Sequence, residues 1–414
     1  MNTLSAYSIY LILRGADNFF RSMIYIGIAV YYIQTIGMNP LQLVLIGTTI
    51  EVTIFLCEIP TGVVADTFSR KYSVIIGFFL CGVCFVLEGL LPFFLAIVLA
   101  EVIRGLGETF ISGALDAWIV DEVGLEKVGQ AFLRGSQVGQ VSGVLGTFAA
   151  AGLSLIALNL PVLIGGIALI GLAIFLLFSM PENGFKPLPR GERNSWQAMG
   201  HTFGAGLKVV RSSRLVLTIL LIGIVFGTFS EGYDRLWEAR FLKGFTFPNL
   251  WGLNAVGWFA LFGLVGMFLS MLVTEVLRRK LDTSNHTLVA RALLIINALL
   301  IGSIAAFALA GNLWIVVGAF WVLSLLRSIN GPLYSIWLNQ NIDSTSRATV
   351  LSMGSQFDAL GQLIGGPIIG LVATNFSIPA GLLVSGVILS PVLLLYLRTL
   401  RRNDETSLVG RMKK

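Results

Sequence analysis

Ionisable residues stand at helical spacing inside stretches that are otherwise apolar. Arg14, Asp17 and Arg21 are three and four residues apart, as are Glu101, Arg104 and Glu108, so each set falls on one face of a helix. Glu231, Asp234, Arg235 and Glu238 form a third group, and Glu51, Glu58, Glu88, Arg134, Arg291, Arg327 and Asp358 stand alone. Inserting such a group at a bilayer centre costs about 2.5 to 3.5 kcal/mol, so a chain that keeps many of them has a use for them. Three uses fit carboxylates and guanidiniums at this spacing: ion pairs within a helical bundle, recognition of a charged solute, and carriage of a proton. Asp358 lies between Gln356 and Gln362 and has no Arg close in sequence. A carboxylate desolvated without a cation holds its proton readily, as a proton carrier must. Metal chemistry has no such support. The two histidines, His201 and His286, are far apart, and Cys57, Cys81 and Cys84 lie in apolar runs where Cys81-x-x-Cys84 reads as helix packing. No cofactor is expected, and no Gly-rich loop ending in Lys-Ser/Thr is present.

The elements that position these charges follow from composition. Of 414 residues 56% are hydrophobic and only 12% are Asp, Glu, Lys or Arg, against about 25% in soluble domains. With a mean hydropathy of +0.85, the apolar material exceeds what a soluble core buries, which excludes collagen, disordered, coiled-coil and soluble enzyme classes together. A spanning helix needs about 20 mainly apolar residues. Twelve such segments are expected, at 8–34, 41–65, 72–91, 93–119, 129–156 and 160–180, then 214–240, 250–277, 288–310, 312–338, 347–374 and 378–400. Residues 1–180 thus form one six-helix bundle and 214–402 another. They are joined by a linker at 181–213 and followed by a basic tail at 403–414. In the linker Trp196, Met199, Phe203, Leu207 and Val210 share one helical face, the pattern of a helix lying on the membrane surface.

Lys and Arg collect in alternate connections: Arg70, Lys71 and Lys127, then Lys186, Arg190 and Arg193, then Arg278, Arg279 and Lys280, then Arg347. Because basic residues stay on the cytoplasmic side, both termini are expected there, in a multi-pass protein of the plasma (cell inner) membrane. The net charge of +6 is explained by this bias and by the tail, where Arg398, Arg401, Arg402, Arg411, Lys413 and Lys414 can meet anionic lipid. No nucleic acid is expected as a partner, since no water-exposed domain presents a basic face. Met1 to Tyr10 lacks a basic region and a small-residue cleavage site, so the first apolar segment is expected to be retained.

The halves repeat one another. Asp66-x3-Arg70-Lys71 after span 2 matches Glu275-x3-Arg279-Lys280 after span 8, and Asp17-x3-Arg21 in span 1 matches Glu231-x3-Arg235 in span 7. Gly135-Ser136-Gln137 in span 5 matches Gly354-Ser355-Gln356 in span 11, and at the same offset Trp118 matches Trp337. Parallel repeats of six spans, with the substrate site near the midplane between the halves, are an architecture of secondary transporters. The expected fold is all-α and polytopic, twelve transmembrane helices in two pseudo-symmetric six-helix bundles.

Gly62-Val-Val-Ala-Asp66-Thr-Phe-Ser-Arg70-Lys71 resembles the signature loop of the major facilitator superfamily, G-x-L-a-D-r-x-G-r-k, with Val64, Thr67 and Ser69 as departures. Arg104-Gly-Leu-Gly107 resembles a second feature of that family, an Arg followed by glycines in span 4. The resemblance implies a cytoplasmic gate in which Asp66 faces the start of span 11 and Arg70 pairs with an acid at the end of span 4, here Asp121 or Asp116. Gly62, Lys71, Glu275 and Arg279 complete the gate set. It also implies that spans 1, 4, 7 and 10 line the cavity, which selects Asp17, Arg21, Arg104, Glu108, Glu231, Asp234, Arg235 and Arg327, with Asp358 added as proton carrier.

Phe19, Phe20, Tyr25, Tyr31, Tyr32, Phe226, Phe229, Tyr233, Trp237, Tyr334 and Trp337 lie on the same spans. A wide aromatic cavity with few charges suits amphiphilic or planar organic cations better than sugars, which call for dense Asn and Gln. Gly361, Gly365, Gly366, Pro367 and Gly370 resemble the Gly-Pro motif of drug antiporters, displaced here from span 5 to span 11. The expected activity is proton-coupled efflux of small amphiphilic molecules or drugs by a monomer, an antiporter and not an enzyme. An importer or a sugar or metabolite carrier of the same superfamily is the alternative, and a non-transporting membrane receptor the alternative from another class.

Overall fold

The computed structural model describes residues 4–187, 214–250, 252–340, 342 and 347–412, and all regular structure among them is helical. The twelve expected segments correspond to twelve helical stretches. They are α1 (Ala6–Tyr31, closed by a π-helical turn over Tyr32–Ile36), α2 (Pro40–Thr67), α3 (Arg70–Leu90), α4 in two pieces (Phe94–Ile111 and Ala114–Val123), α5 (Leu125–Ser154) and α6 (Leu160–Ser179). After the linker come α7 (Arg214–Gly244), α8 (Ala255–Lys280), α9 (His286–Leu309), α10 (Leu313–Gln340), α11 (Arg347–Asn375) and α12, also in two pieces (Ile378–Leu389 and Pro391–Met412). The surface helix expected over Trp196 to Val210 lies outside the described residues.

Local chemistry sets the helix ends. Ser5, Ser69, Asn285 and Ser377 cap α1, α3, α9 and α12 by accepting from backbone N–H groups of the first turn. Asn39 and Gln42 form a reciprocal capping box at α2, with Pro40 in the first turn, where its missing N–H costs nothing. Span 4 is not the continuous helix expected over 93–119. The chain turns at Ser112-Gly113, where Gly113 has φ +71, a left-handed conformation that glycine adopts without strain. Span 12 breaks at Ser390-Pro391, because Pro391 has no N–H with which to continue the ladder.

Ten of the helices are long and apolar enough to cross a membrane by composition alone. The two that fall short are α4, which carries Glu101, Arg104 and Glu108, and α5, which is diluted by Gly, Ser and Gln. Large apolar side chains such as Ile156, Phe178, Phe268 and Leu272 point outward, as they do where the surrounding solvent is lipid.

Two compact units are present. The first comprises Met1–Gln42, Ile46–Met199 and Phe247–Ala260. Its core is built from Leu13, Ile24, Phe78, Phe85, Trp118 and Leu169. Here α1 and α5 approach so closely that a Cβ on Gly146 would stand 2.2 Å from the carbonyl oxygen of Phe19. The second comprises Leu43–Leu45, Gly200–Thr246 and Leu261–Lys414. Its core is aromatic, with Phe241 against Phe262, Phe307 and Phe320. There α7 and α11 meet through glycine in the same manner, since a Cβ on Gly361 would stand 2.1 Å from the carbonyl oxygen of Ile224. Small residues allow such approaches between membrane helices.

Candidate functional site

In the first unit the charges of α1 and α4 form one connected ladder. Arg21 is held by Asp17 one turn earlier on α1 and by Glu108 of α4. Arg104 is gripped by both oxygens of Glu101, with Nε donating at 2.6 Å and Nη2 at 2.8 Å. Tyr25 links the two pairs: its hydroxyl accepts from Arg104 at 3.0 Å and from Arg21 at 3.3 Å. The Arg104 guanidinium lies over the rings of Tyr25 and Phe85, at 5.8 and 5.7 Å from their centroids, and cation–π attraction strengthens when the cation is desolvated. Asp17, Glu101 and Arg104 are buried. Four expected cavity residues, Asp17, Arg21, Arg104 and Glu108, are therefore one assembly. Glu101 and Tyr25 belong to it as well, although spacing and aromaticity alone did not give them this place.

The second unit carries its own set. Glu231 and Arg235 pair within α7 at 2.9 Å. Asp234 receives both terminal nitrogens of Arg327 from α10, the Nη2 contact being 2.7 Å. Arg327 also lies over the ring of Tyr233 at 5.0 Å and over Phe229 at 5.7 Å. Nearby, Trp237 stacks on Phe320 at 4.8 Å. Asp358 stands apart from this group. It accepts from Gln362 at 2.8 Å and enters no salt bridge among the described residues, as its sequence neighbourhood suggested.

The signature-loop residues gather at one end of the first unit. Arg70 pairs with Asp66 at 3.2 Å and with Asp121, and donates to the carbonyl of Ala117 at 3.2 Å. Of the two acids open in the sequence, Asp121 is the partner, while Asp116 is exposed in the first turn of the second piece of α4 and enters no salt bridge among the described residues. Gly62 has open space where a Cβ would stand. The expected contact of Asp66 with the start of span 11 falls on side chains outside the described residues. In the second unit Glu275 and Arg279 pair at 2.7 Å.

Two acids near this end, Glu182 and Glu122, have no periodic or repeat signal, and Trp118, which has one in its match to Trp337, joins them in holding the linker. Glu182 accepts from the Ser69 hydroxyl at 2.7 Å and from the Lys71 amide at 2.9 Å, placing a carboxylate on the N-terminus of α3. Glu122 accepts from the amides of Asn183 and Gly184, and the Trp118 indole donates to the Pro181 carbonyl at 2.6 Å. Together they fasten the first residues of the linker to the helices that bear Arg70 and Asp121. Arg240, the last residue of the span expected over 214–240, is buried in α7 and donates to the carbonyls of Phe307 and Ala310 at the end of α9, which satisfies orphan acceptors there.

Comparison with known proteins places this arrangement in a family. The sequence matches the Major Facilitator Superfamily over residues 11–302. A Bacillus subtilis (strain 168) protein described as an uncharacterized MFS-type transporter, YxaM, is 23% identical over 372 residues, covering 89% of each chain. Among solved structures, the nucleoside transporter NupG superposes with a TM-score of 0.73 at 13% identity, covering 95% of this chain and 99% of that one. A bacterial homologue of the human lysosomal transporter Spinster gives 0.71 at 15% identity, covering 95% and 96%. A POT family transporter in complex with a thioalcohol-conjugated peptide also gives 0.71, at 13% identity and 96% of each chain. Twelve helices in the shared fold, the Asp66–Arg70–Asp121 cluster and the match over most of the chain lead to one assignment: this chain belongs to the Major Facilitator Superfamily and is a membrane transporter of that kind.

Proposed function

We propose that the chain is a proton-coupled secondary transporter that exports amphiphilic organic molecules, cations above all, by alternating access. The observation that supports this most directly is a set of carboxylates held beside guanidiniums inside the helices of both units. In the first unit Asp17, Glu101 and Glu108 surround Arg21 and Arg104. In the second, Glu231 and Asp234 pair with Arg235 and Arg327 on α7 and α10. A carboxylate inside membrane helices can exchange its guanidinium partner for a proton or an organic cation. Competition between the two for the same carboxylates is the basis of antiport. Aromatic faces at Phe229, Tyr233 and Trp237 supply the apolar contact that a planar amphiphile needs. The cluster of Asp66, Arg70, Lys71 and Asp121, with Glu275 and Arg279 as its repeat, serves as the cytoplasmic gate and biases the conformational equilibrium without touching substrate. The protein works as a monomer in the plasma membrane with both termini cytoplasmic.

The experiment is reconstitution in proteoliposomes with an imposed pH gradient. The panel is fluorescent organic cations, with nucleosides and short peptides included because solved relatives are described as nucleoside and peptide transporters. Gradient-dependent movement of the cations against the proton flux is the expected result. Cotransport of a nucleoside, peptide or sugar with protons would replace efflux by the importer reading, and binding without flux by the receptor reading.

A further inference from the structure

Glu88 lies near the end of α3 and is fully buried, at 0% exposure. Neither of its carboxyl oxygens makes a well-formed hydrogen bond among the described residues, although the Tyr32 hydroxyl and the Cys84 thiol lie against the carboxyl group. Unsatisfied buried polar atoms are uncommon and point to a missing ligand or a functional demand. The ionisable groups facing Glu88 come from each packed element that has any. They are Tyr32 from the π-helical turn of α1, Glu101 and Arg104 from α4, and Cys84 one turn back on α3 itself. Tyr31, also on α1, donates to the Glu88 backbone carbonyl at 2.9 Å. α6 contributes only the Asn159 amide at its start, bonded to the Gly89 carbonyl at 3.0 Å, and has no ionisable residue of its own. The acids in the second piece of α4 are remote, at the Arg70 end of α3.

Among the described residues no cation remains for Glu88, because Arg104 is held by both oxygens of Glu101 and turns its remaining nitrogen to Tyr25. An ionised Glu88 would be a second negative charge beside Glu101 in a buried interior, an arrangement that uncompensated burial makes strongly unfavourable. Taking up one proton converts the carboxylate to a neutral acid and removes that charge. The route for the proton is short, since Glu88 lies two residues from the end of α3, where the connection to α4 leaves the span. From Tyr32 the charged ladder runs back along α1 through Tyr25 and Arg21 to Asp17, a rise of about 22 Å at 1.5 Å per residue. π-Helical turns such as the one bearing Tyr32 recur at functional sites.

We infer that Glu88 is a proton-binding site of the first unit, loaded from the solvent at the Leu90–Phe93 end and communicating with the Glu101–Arg104 pair. The inference deepens the proton-coupled reading by naming where a proton sits. Infrared spectroscopy of the protein in lipid at neutral pH tests it. The wild type should show a protonated-carboxyl C=O band that Glu88→Gln lacks, that Tyr32→Phe moves in frequency, and that shifts when water is replaced by D2O. Glu88→Asp keeps an acid and should retain the band at altered frequency, which protects the test should Glu88→Gln fold poorly. A spectrum unchanged by Glu88→Gln would overturn the inference, as would a band that never shifts in D2O, the mark of a sealed structural acid. In proteoliposomes Glu88→Gln should lose one proton's share of pH-gradient-driven accumulation, about tenfold per pH unit, and keep energy-independent exchange. Full gradient-driven accumulation by Glu88→Gln would remove this inference alone. A wild type that retains the exchanging Glu88 band but ignores the pH gradient would remove the proton-coupled reading alone.

Discussion

Arg21 donates to Glu108 from α1 to α4, and the matching pair in the second unit runs in the opposite sense, with Arg327 of α10 donating to Asp234 of α7. The offset that carries Trp118 onto Trp337 also carries Glu108 onto Arg327, while Asp234 stands one residue before Arg235, the match of Arg21, so each unit has a cross-helix ion pair with its cation on the other helix. Removal of the guanidinium and removal of the acid should then differ. Arg21→Ala leaves Asp17 and Glu108 together without their cation and should cost about 3 kcal/mol, the lower end of the range for breaking a buried pair. Glu108→Gln leaves Arg21 its bond to Asp17 and should cost clearly less. Thermal unfolding of the purified variants checks the order, and equal losses would contradict it.

The gate cluster makes a sharper distinction. Arg70→Ala and Asp121→Asn each break a pair that joins α3 to the second piece of α4. Both should abolish net transport while expression and ligand binding remain near normal, because the cluster weights conformations and does not touch substrate. Asp116→Asn removes an exposed acid with no salt bridge among the described residues, and transport should persist. Loss of activity in Asp116→Asn with retention in Asp121→Asn would reverse the assignment.

Spans, repeat and signature loop are legible in the sequence because hydropathy, spacing and the Asp66–Arg70 motif are local properties. Asp17 with Arg21 and Glu231 with Arg235 pair within single helices, so their i,i+4 spacing already contains the contact. Glu182 is different: its partners Ser69 and Lys71 lie more than a hundred residues away, and nothing in a polar linker segment singles it out. Glu88 is visible only as one more acid in an apolar run, since its isolation depends on Glu101 having already taken Arg104. The turn at Gly113 is hidden for a further reason. Glycine is frequent in these helices, and composition does not separate those that turn the chain from those that let helices touch.

That last distinction yields a stability prediction. Gly361→Ala introduces a Cβ against a backbone carbonyl of α7, and neither helix can yield without separating. Overpacking of this kind costs about 1–3 kcal/mol. Gly354→Ala on the same helix meets nothing within 4 Å and should be neutral or slightly stabilising through helix propensity. Melting temperatures of the two variants should therefore move apart, and parallel behaviour would show that the α7–α11 approach is looser than described.

The proposed proton coupling is tested in the second unit at Asp358. It is half-buried on α11 and bonded to Gln362 of its own turn, and Tyr334 of α10 is its ionisable neighbour. Glu231, by contrast, is buried against Arg235, and a carboxylate that must stay ionised to neutralise a guanidinium is poorly placed to exchange a proton. Asp358→Asn should thus lose at least one proton's share of gradient-driven accumulation and keep energy-independent exchange, whereas Glu231→Gln should lose both through loss of the Glu231–Arg235 pair. A gradient of one pH unit supplies about 1.4 kcal/mol per proton. If Glu88 and Asp358 each carry a proton per cycle, removing one lowers the limiting accumulation about tenfold per pH unit and does not abolish it. If Asp358 is the sole carrier, the uphill mode disappears. Measuring limiting accumulation against the size of the gradient in Asp358→Asn separates these outcomes, and an unchanged slope relative to wild type would exclude Asp358 from coupling.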